Sequence, residues 1–199
     1  MAFFRGPNIV TDGLVLCLDA ANTKSYPESG TTWKDLSGGN YDFTLDESGI
    51  THNSNGYFAL ADGGATLSSN ITDNNNCTMV FWIKTTDTQA LFWGAQSGGY
   101  YLGAYRSGNK FYNGNMGSPT FHMDTEQKSN IYDNLRTGNW HMCEFKSVDF
   151  STTTDNRFNQ YGGYTFGNGQ VGMIMMYDRN LTSAESTQNF NAIRSRFGI

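Results

Sequence analysis

Apolar and polar residues alternate with a period of two along several short stretches of this chain, and that period predicts β-strands. In Gly13–Ala20 (GLVLCLDA), Leu14, Leu16 and Leu18 fall on one face. Cys77–Thr85 (CTMVFWIKT) is the clearest strand, with Cys77, Met79, Phe81 and Ile83 on one face and Val80 and Trp82 on the other. Apolar residues on both faces predict a strand covered on both sides. Trp140–Val148 alternates again, and Val171–Tyr177 (VGMIMMY) is a continuous apolar run that predicts an interior strand. Ala90–Ala95, Tyr100–Tyr105 and Lys110–Asn113 read as short strands between Gly turns. Tyr57–Leu60 and Ala65–Ser68 flank Asp62-Gly63, which is a hairpin signal.

One segment breaks this pattern. Thr182-Ser183-Ala184-Glu185 matches a helix-starting capping box, in which hydroxyl and carboxylate each satisfy the other residue's amide. Phe190, Ile193 and Phe197 then recur on one helical face. Arg194 and Arg196 suit the negative end of the helix dipole, and Gly198 can stop the helix. The spacing predicts an all-β sandwich with a short C-terminal helix.

Composition narrows the class. Of 199 residues, 15% are aromatic and 16% charged, with Gly at 23 and Pro at 3. Disordered chains are poor in aromatics and rich in charge, and helical bundles draw on Ala, Leu, Glu and Lys. The formal net charge is −5, and the 13 Lys and Arg form no run. Nucleic-acid and polybasic membrane surfaces need a basic patch, so neither partner is expected. The opening MAFFRGPNIVTDG lacks the apolar core of a signal peptide, as expected of a chain made in a cytoplasm and not processed. Cys17, Cys77 and Cys143 are far apart and strand-borne, as expected of buried free thiols. Sequons at Asn70, Asn76 and Asn180 read as chance matches in an Asn- and Thr-rich chain.

Gly13-Leu-Val-Leu-Cys-Leu-Asp-Ala-Ala-Asn22 followed by Thr31-Thr-Trp-Lys-Asp-Leu-Ser-Gly38 resembles the opening of concanavalin A-like lectin/glucanase domains of the laminin-G type. Met175-Met-Tyr-Asp-Arg-Asn-Leu-Thr-Ser-Ala-Glu185, through Gln188–Asn191 to Arg196–Ile199, resembles the closing strand and helix of that group. Cys77–Lys84 and Gly138-Asn-Trp140-His141 are similar to its central strands, more loosely. Domains with such ends occur in virion structural proteins of tailed phages, notably of cyanobacteria. The resemblance implies a concanavalin A-like, two-sheet antiparallel jelly roll, here residues 13–199 behind an arm of residues 1–12. It does not imply one activity, because the fold serves lectins, glycosidases and structural modules.

The candidate chemistry is sparse. The related glucanases carry Glu-x-Asp-x-x-Glu on one strand, and this chain has no such segment. Asp46 and Glu47 are adjacent and face opposite ways, Glu144 stands alone in its strand, and Asp124 and Glu126 lie in a polar stretch without a third carboxylate. His52, His122 and His141 could join a hydroxyl or thiol only through the fold. Gly162-Gly163 and Gly167-Asn168-Gly169 read as turns, since they lack the Lys-Ser/Thr of a phosphate loop. Asp42, Asp46, Asp62, Asp73 and Asp87 form no calcium-loop pattern, so no metal or cofactor is expected.

Trp93, Tyr100, Tyr101, Tyr105 and Tyr112 have the residue types that stack on sugar rings and form the candidate carbohydrate-binding set, although core or interface packing is the favoured reading of such aromatics. Phe3 and Phe4 are candidate interface residues, in the segment Met1–Asn8, which is expected to dock on a neighbour or on the domain's own edge. The leading expectation is a non-enzymatic virion structural protein, assembled in the host cytoplasm into the capsid decoration, neck or tail, that binds other virion proteins in a symmetric assembly. The alternative is a carbohydrate-binding module for host surface glycans, and a glycoside hydrolase ranks third.

Overall fold

The computed structural model describes residues 7–45, 49–61, 65–67, 75–87, 89–95, 99, 101–105, 110–129, 132–151, 156–161, 164–165 and 168–199. Its strands run β1 (Leu14–Asp19), β2 (Thr32–Trp33), β3 (Phe43–Leu45), β4 (Ile50–Asn53), β5 (Tyr57–Leu60) and β6 (Ala65–Leu67). They continue as β7 (Cys77–Thr85), β8 (Gln89–Ala95), β9 (Tyr101–Tyr105), β10 (Lys110–Gly114), β11 (Gly117–Met123) and β12 (Glu126–Gln127). After the short helix α1 (Tyr132–Leu135) come β13 (Trp140–Val148), β14 (Asn156–Phe158), β15 (Gln160–Tyr161), β16 (Tyr164–Thr165) and β17 (Gly169–Tyr177). The chain closes with helix α2 (Ser183–Ile193) and a 3-10 turn, Arg194–Phe197.

Two antiparallel sheets face each other, as in a jelly-roll sandwich. One has the order β12-β11-β13-β7-β17-β5-β4, and the other β10-β9-β8-β14-β6-β3-β2. The free edge of β17 is shared end to end, with β5 pairing Gly169–Val171 and β1 pairing Met173–Tyr177. The Asp62-Gly63 hairpin expectation fails: β5 belongs to the first sheet and β6 to the second, so this connection crosses between sheets.

The two faces of β7 are both buried, as its sequence predicts. Cys77, Met79, Phe81 and Ile83 enter the core between the sheets with Phe92, Phe145 and Phe158. Val80 and Trp82 point the other way, into a second cluster with Met142, Met175, Tyr177 and Leu181. Helix α2 and its 3-10 turn cover that outer face through Phe190, Ile193 and Phe197. Trp82 stacks on Phe197 at 5.0 Å and on Phe190 at 5.9 Å. Burying one such large apolar side chain contributes roughly 2–3 kcal/mol.

Gly172 makes this closure possible. β17 changes register between Val171 and Met173, and a Cβ at Gly172 would lie 2.4 Å from Phe197 Cζ. The bulge also flips the alternation, so Val171 and Ile174 face the inner core while Met173 and Met175 face the helix.

The helix starts as its sequence predicts. The Thr182 hydroxyl accepts from the Glu185 amide at 3.3 Å, and Glu185 Oε2 accepts from the Thr182 amide at 2.8 Å. Arg179 grips the same carboxylate at 2.7 and 3.0 Å, and with the Thr182 amide it holds the Glu185 carboxyl down to about 2. Gly198 ends the turn in the left-handed region at φ 76°.

Part of the arm docks on the domain's own helix. The Val10 amide donates to Asn189 Oδ1 at 2.8 Å, and Tyr177 OH donates to the Val10 carbonyl at 3.0 Å. Gln188 Nε2 donates to the Asn8 carbonyl at 2.8 Å. Phe3 and Phe4 lie outside the described residues.

Candidate functional site

Trp93 does not offer a stacking face. It is fully buried, packs edge-on against Phe43 and Phe150, and donates its indole N–H to Asn156 Oδ1 at 3.0 Å. The cause is a register shift in β8 between Leu91 and Trp93, after which adjacent Phe92 and Trp93 both enter the core. Tyr101 is half-buried in β9, with its ring against the backbone of Gly114. Tyr105 and Tyr112 lie on β9 and β10, and their side chains, like all of Tyr100, fall outside the described residues. The structure therefore removes Trp93 from the expected sugar-stacking set.

The candidate carboxylates are engaged elsewhere. Glu144 lies on the helix-facing side of β13, fully buried, and meets Lys146 Nζ at 3.1 Å and the Ser186 hydroxyl at 2.9 Å. Lys146 also donates to the Leu181 carbonyl, so this network ties β13 to the start of α2. Burial raises the Glu144 carboxyl above its ordinary value, against the opposing pull of Lys146 and Ser186. His122 sits opposite Glu144 on β11, and burial followed by the Lys146 charge lowers its pKa. Glu126 is exposed and pairs with Lys128 at 2.5 Å.

Among the described residues the fold assembles a hydroxyl–imidazole–carboxylate chain. His141 Nδ1 lies 2.7 Å from Asp124 Oδ2, and Nε2 lies 2.9 Å from Thr137 Oγ1. Asp124 Oδ1 accepts from the Met142 amide at 2.9 Å. Asp124 and Thr125 form a strained turn, with φ of 50° and 77°. A nucleophile would need free amides aimed at a developing oxyanion. Here the Gly138 amide donates to the Thr85 carbonyl, and the Asn139 amide donates to Thr137 Oγ1 itself. The chain thus acts as a tie between the β11–β12 turn and the loop before β13. Thr137 carries no sequence signal for this role, because the His141–Asp124 contact that it extends exists only once β11 pairs β13.

The calcium candidates that are described serve as loop hydrogen-bond acceptors. Asp42 Oδ1 accepts from the Asp35 amide, and Asp87 Oδ2 accepts from the Asn168 amide. Asp46, Asp62 and Asp73 lie outside the described residues. Among the described residues, no group of three or more His, Cys, Asp or Glu could hold a metal ion. The motif residue Asp35 organises its own loop: its carboxylate accepts from the amides of Cys17, Ser37 and Tyr41.

One concave feature with mixed chemistry among the described residues is a cleft of about 160 Å³ where the end of β1, the 22–28 loop, the β4–β5 hairpin and the C-terminal turn converge. At its base, the His52 ring lies 4.9 Å from Tyr26 and 5.3 Å from Phe58, and His52 Nε2 donates to the Ala20 carbonyl at 3.0 Å. Tyr26 is itself buried and donates its hydroxyl to the Gly30 carbonyl. Exposed Thr23, Glu28, Ser54 and Asn55 form the rim. Arg196 fixes the walls: Nη1 donates to Asp19 Oδ1 at 2.6 Å, and Nη2 to the carbonyls of Gly56 and Gly172 at 2.7 and 3.2 Å. Gly56 has φ 81°, and a Cβ there would lie 2.5 Å from the Ala21 side chain, so glycine sets how closely the hairpin approaches β1. The sequence reading did not single out this cleft, because its residues come from three separate stretches, 20–28, 52–56 and Arg196.

No protein-family model matches the chain, and no curated protein matches it. Solved structures do. A mutant of Trypanosoma rangeli sialidase displaying trans-sialidase activity is 17% identical, with TM-score 0.59 over 96% of this chain and 34% of that one. Trypanosoma rangeli sialidase in complex with sialic acid is 16% identical, with TM-score 0.54 over 94% of this chain and 34% of that one. The botulinum neurotoxin serotype D binding domain is 14% identical, with TM-score 0.50 over 91% of this chain and 52% of that one. The chain thus spans between a third and about half of the structures it matches. At these identities the likeness concerns the fold, and the fold is a lectin-like β-sandwich.

Proposed function

We propose that this chain is a recognition module that binds a carbohydrate through the cleft beside Tyr26 and His52, without chemical turnover. The observation that carries the reading is the composition of that cleft, with ring surface at its base and hydroxyl, amide and carboxylate groups at its rim. Sugar recognition needs this combination, since a pyranose has apolar C–H faces and a girdle of hydroxyls. A rigid sandwich carrying its binding groups on loops is the usual division of labour. Fold-level analogy adds a little: one neighbour is described with sialic acid, and another as a binding domain. The purified chain on a glycan array tests this reading. Reproducible binding to a defined set of glycans is expected, and silence across the array counts against it.

A second reading is that the module is a virion structural protein of a tailed phage that binds other virion proteins. It is favoured by how the residues behind the phage-domain resemblance meet in space. β1 pairs with β17, Asp35 accepts from Cys17, and Arg196 reaches Asp19. The resembling ends therefore form one continuous unit. Mass spectrometry of purified virions should find the protein, and tight binding to a capsid or tail protein should be measurable. Absence from particles, with abundant free protein in infected cells, would sink this reading. Both readings can hold for one protein.

A further inference from the structure

We propose that the cleft is a single-ring subsite and that Glu28 makes it selective for uncharged sugars. This rests on the carbohydrate-binding reading above and adds the ligand's size and charge. Size comes first. A cleft of about 160 Å³ is well below the roughly 300–1,000 Å³ that encloses a drug-sized ligand. It takes one terminal ring, with the rest of a glycan left in solvent.

Charge comes second. The cleft is lined by two residues of fixed charge, Glu28 and Arg196. The Arg196 cation is committed to Asp19 at 2.6 Å and to two backbone carbonyls, so it is neutralised within the wall. The exposed Glu28 carboxylate then sets the sign of the rim. A carboxylate accepts hydrogen bonds from sugar hydroxyls and repels an anionic sugar. Sialic acid, the sugar named with a solved structure that this chain matches over 34% of that structure's length, carries a carboxylate and should be turned away here. Asn55, on the hairpin tip, supplies both a donor and an acceptor for the hydroxyls. The half-buried His52 ring, backed by Tyr26, supplies the apolar floor.

The test is titration of the full chain with methyl glycosides of glucose, galactose, mannose and N-acetylglucosamine, and with a methyl sialoside as the anionic probe. Ligand-observed NMR and calorimetry give the affinities. Three variants accompany the native chain: Asn55→Ala, Glu28→Gln and, on the far face of α2, Thr187→Ala. At least one neutral glycoside should bind, weakened about fivefold by Asn55→Ala, the loss of roughly one hydrogen bond. Thr187→Ala should bind as the native chain does. Glu28→Gln should raise sialoside affinity, and the gain should shrink as salt is added. Neutral binding that neither Asn55→Ala nor Glu28→Gln changes would overturn this subsite and leave the carbohydrate-binding reading intact. A native preference for the sialoside overturns the charge selectivity. No binding to any glycoside here or to any array glycan removes both readings together.

Discussion

Arg196 Nη1 donates to Asp19 Oδ1 at 2.6 Å, joining the C-terminal 3-10 turn to the end of β1 across 177 positions of sequence. The same guanidinium caps the carbonyls of Gly56 and Gly172, so one side chain fixes the hairpin, the β17 bulge and the cleft wall. Replacing Arg196 with Ala should cost about 2–3 kcal/mol, the usual scale for hydrogen bonds to a charged group. Denaturant unfolding measures it. An unchanged midpoint would mean that this pair behaves like an ordinary surface ion pair.

Trp93→Ala should destabilise the protein by about 3–5 kcal/mol, as large-to-small changes in a packed core do. It also strips the partner from Asn156 Oδ1. At temperatures where the variant is still folded, ligand affinity at the Tyr26–His52 cleft should match that of the native chain. Loss of binding in a demonstrably folded variant would return Trp93 to the binding surface.

The buried Glu144 predicts a specific pH dependence. Burial raises its carboxyl above the ordinary value, so the folded protein holds that proton more readily than the unfolded chain does. Its contribution is then most favourable at low pH and declines as pH rises from the ordinary carboxylate value through the raised one. Glu144→Gln cannot titrate. The stability of the native chain minus that of the variant should fall through this window and level off above it, whatever the constant offset caused by the change beside Lys146. Parallel stability curves from acid to neutral pH would contradict the assignment.

The thiols should be inert. Cys17, Cys77 and Cys143 are free and buried. Burial pushes Cys17 and Cys77 up to about 12 and Cys143 well above its usual value. A coloured disulfide reagent at neutral pH should find no reactive thiol in the native chain and all three after unfolding. Rapid labelling of a native thiol would show a local opening of the sandwich.

Thr182→Ala should lower stability by about 1 kcal/mol, the usual worth of an N-cap. Thermal unfolding of the variant checks this. A much larger loss would mean that the cap also anchors α2 over Trp82 and Met175.

Much of the architecture was legible because strand faces follow from a period of two. Cys77–Thr85 announced both its buried faces, and Thr182–Glu185 announced the start of the helix that covers one of them. The failures have local causes. Trp93 was open to two readings, core and sugar stacking, and the bulge in β8 that places two neighbouring residues on one side put it in the core. The hairpin expected around Asp62-Gly63 was misjudged because a turn signal does not say whether the next strand rejoins the same sheet.

The candidate site was far less legible. Thr137, His141 and Asp124 meet only because β11 pairs β13 in a particular register. Tyr26, His52, Asn55 and Arg196 line one cleft only because Gly56 lets the hairpin close on Ala21 and Gly172 lets Phe197 reach the sheet. The sequence by itself determined an all-β sandwich closed by a capped helix, since alternation and capping are local and repeat within a few residues. Which side chains share a site was decided by the tertiary structure, because bulges, sheet crossings and contacts between the chain's two ends depend on pairing partners outside the local pattern, from 17 positions away for His141 and Asp124 to 177 for Arg196 and Asp19.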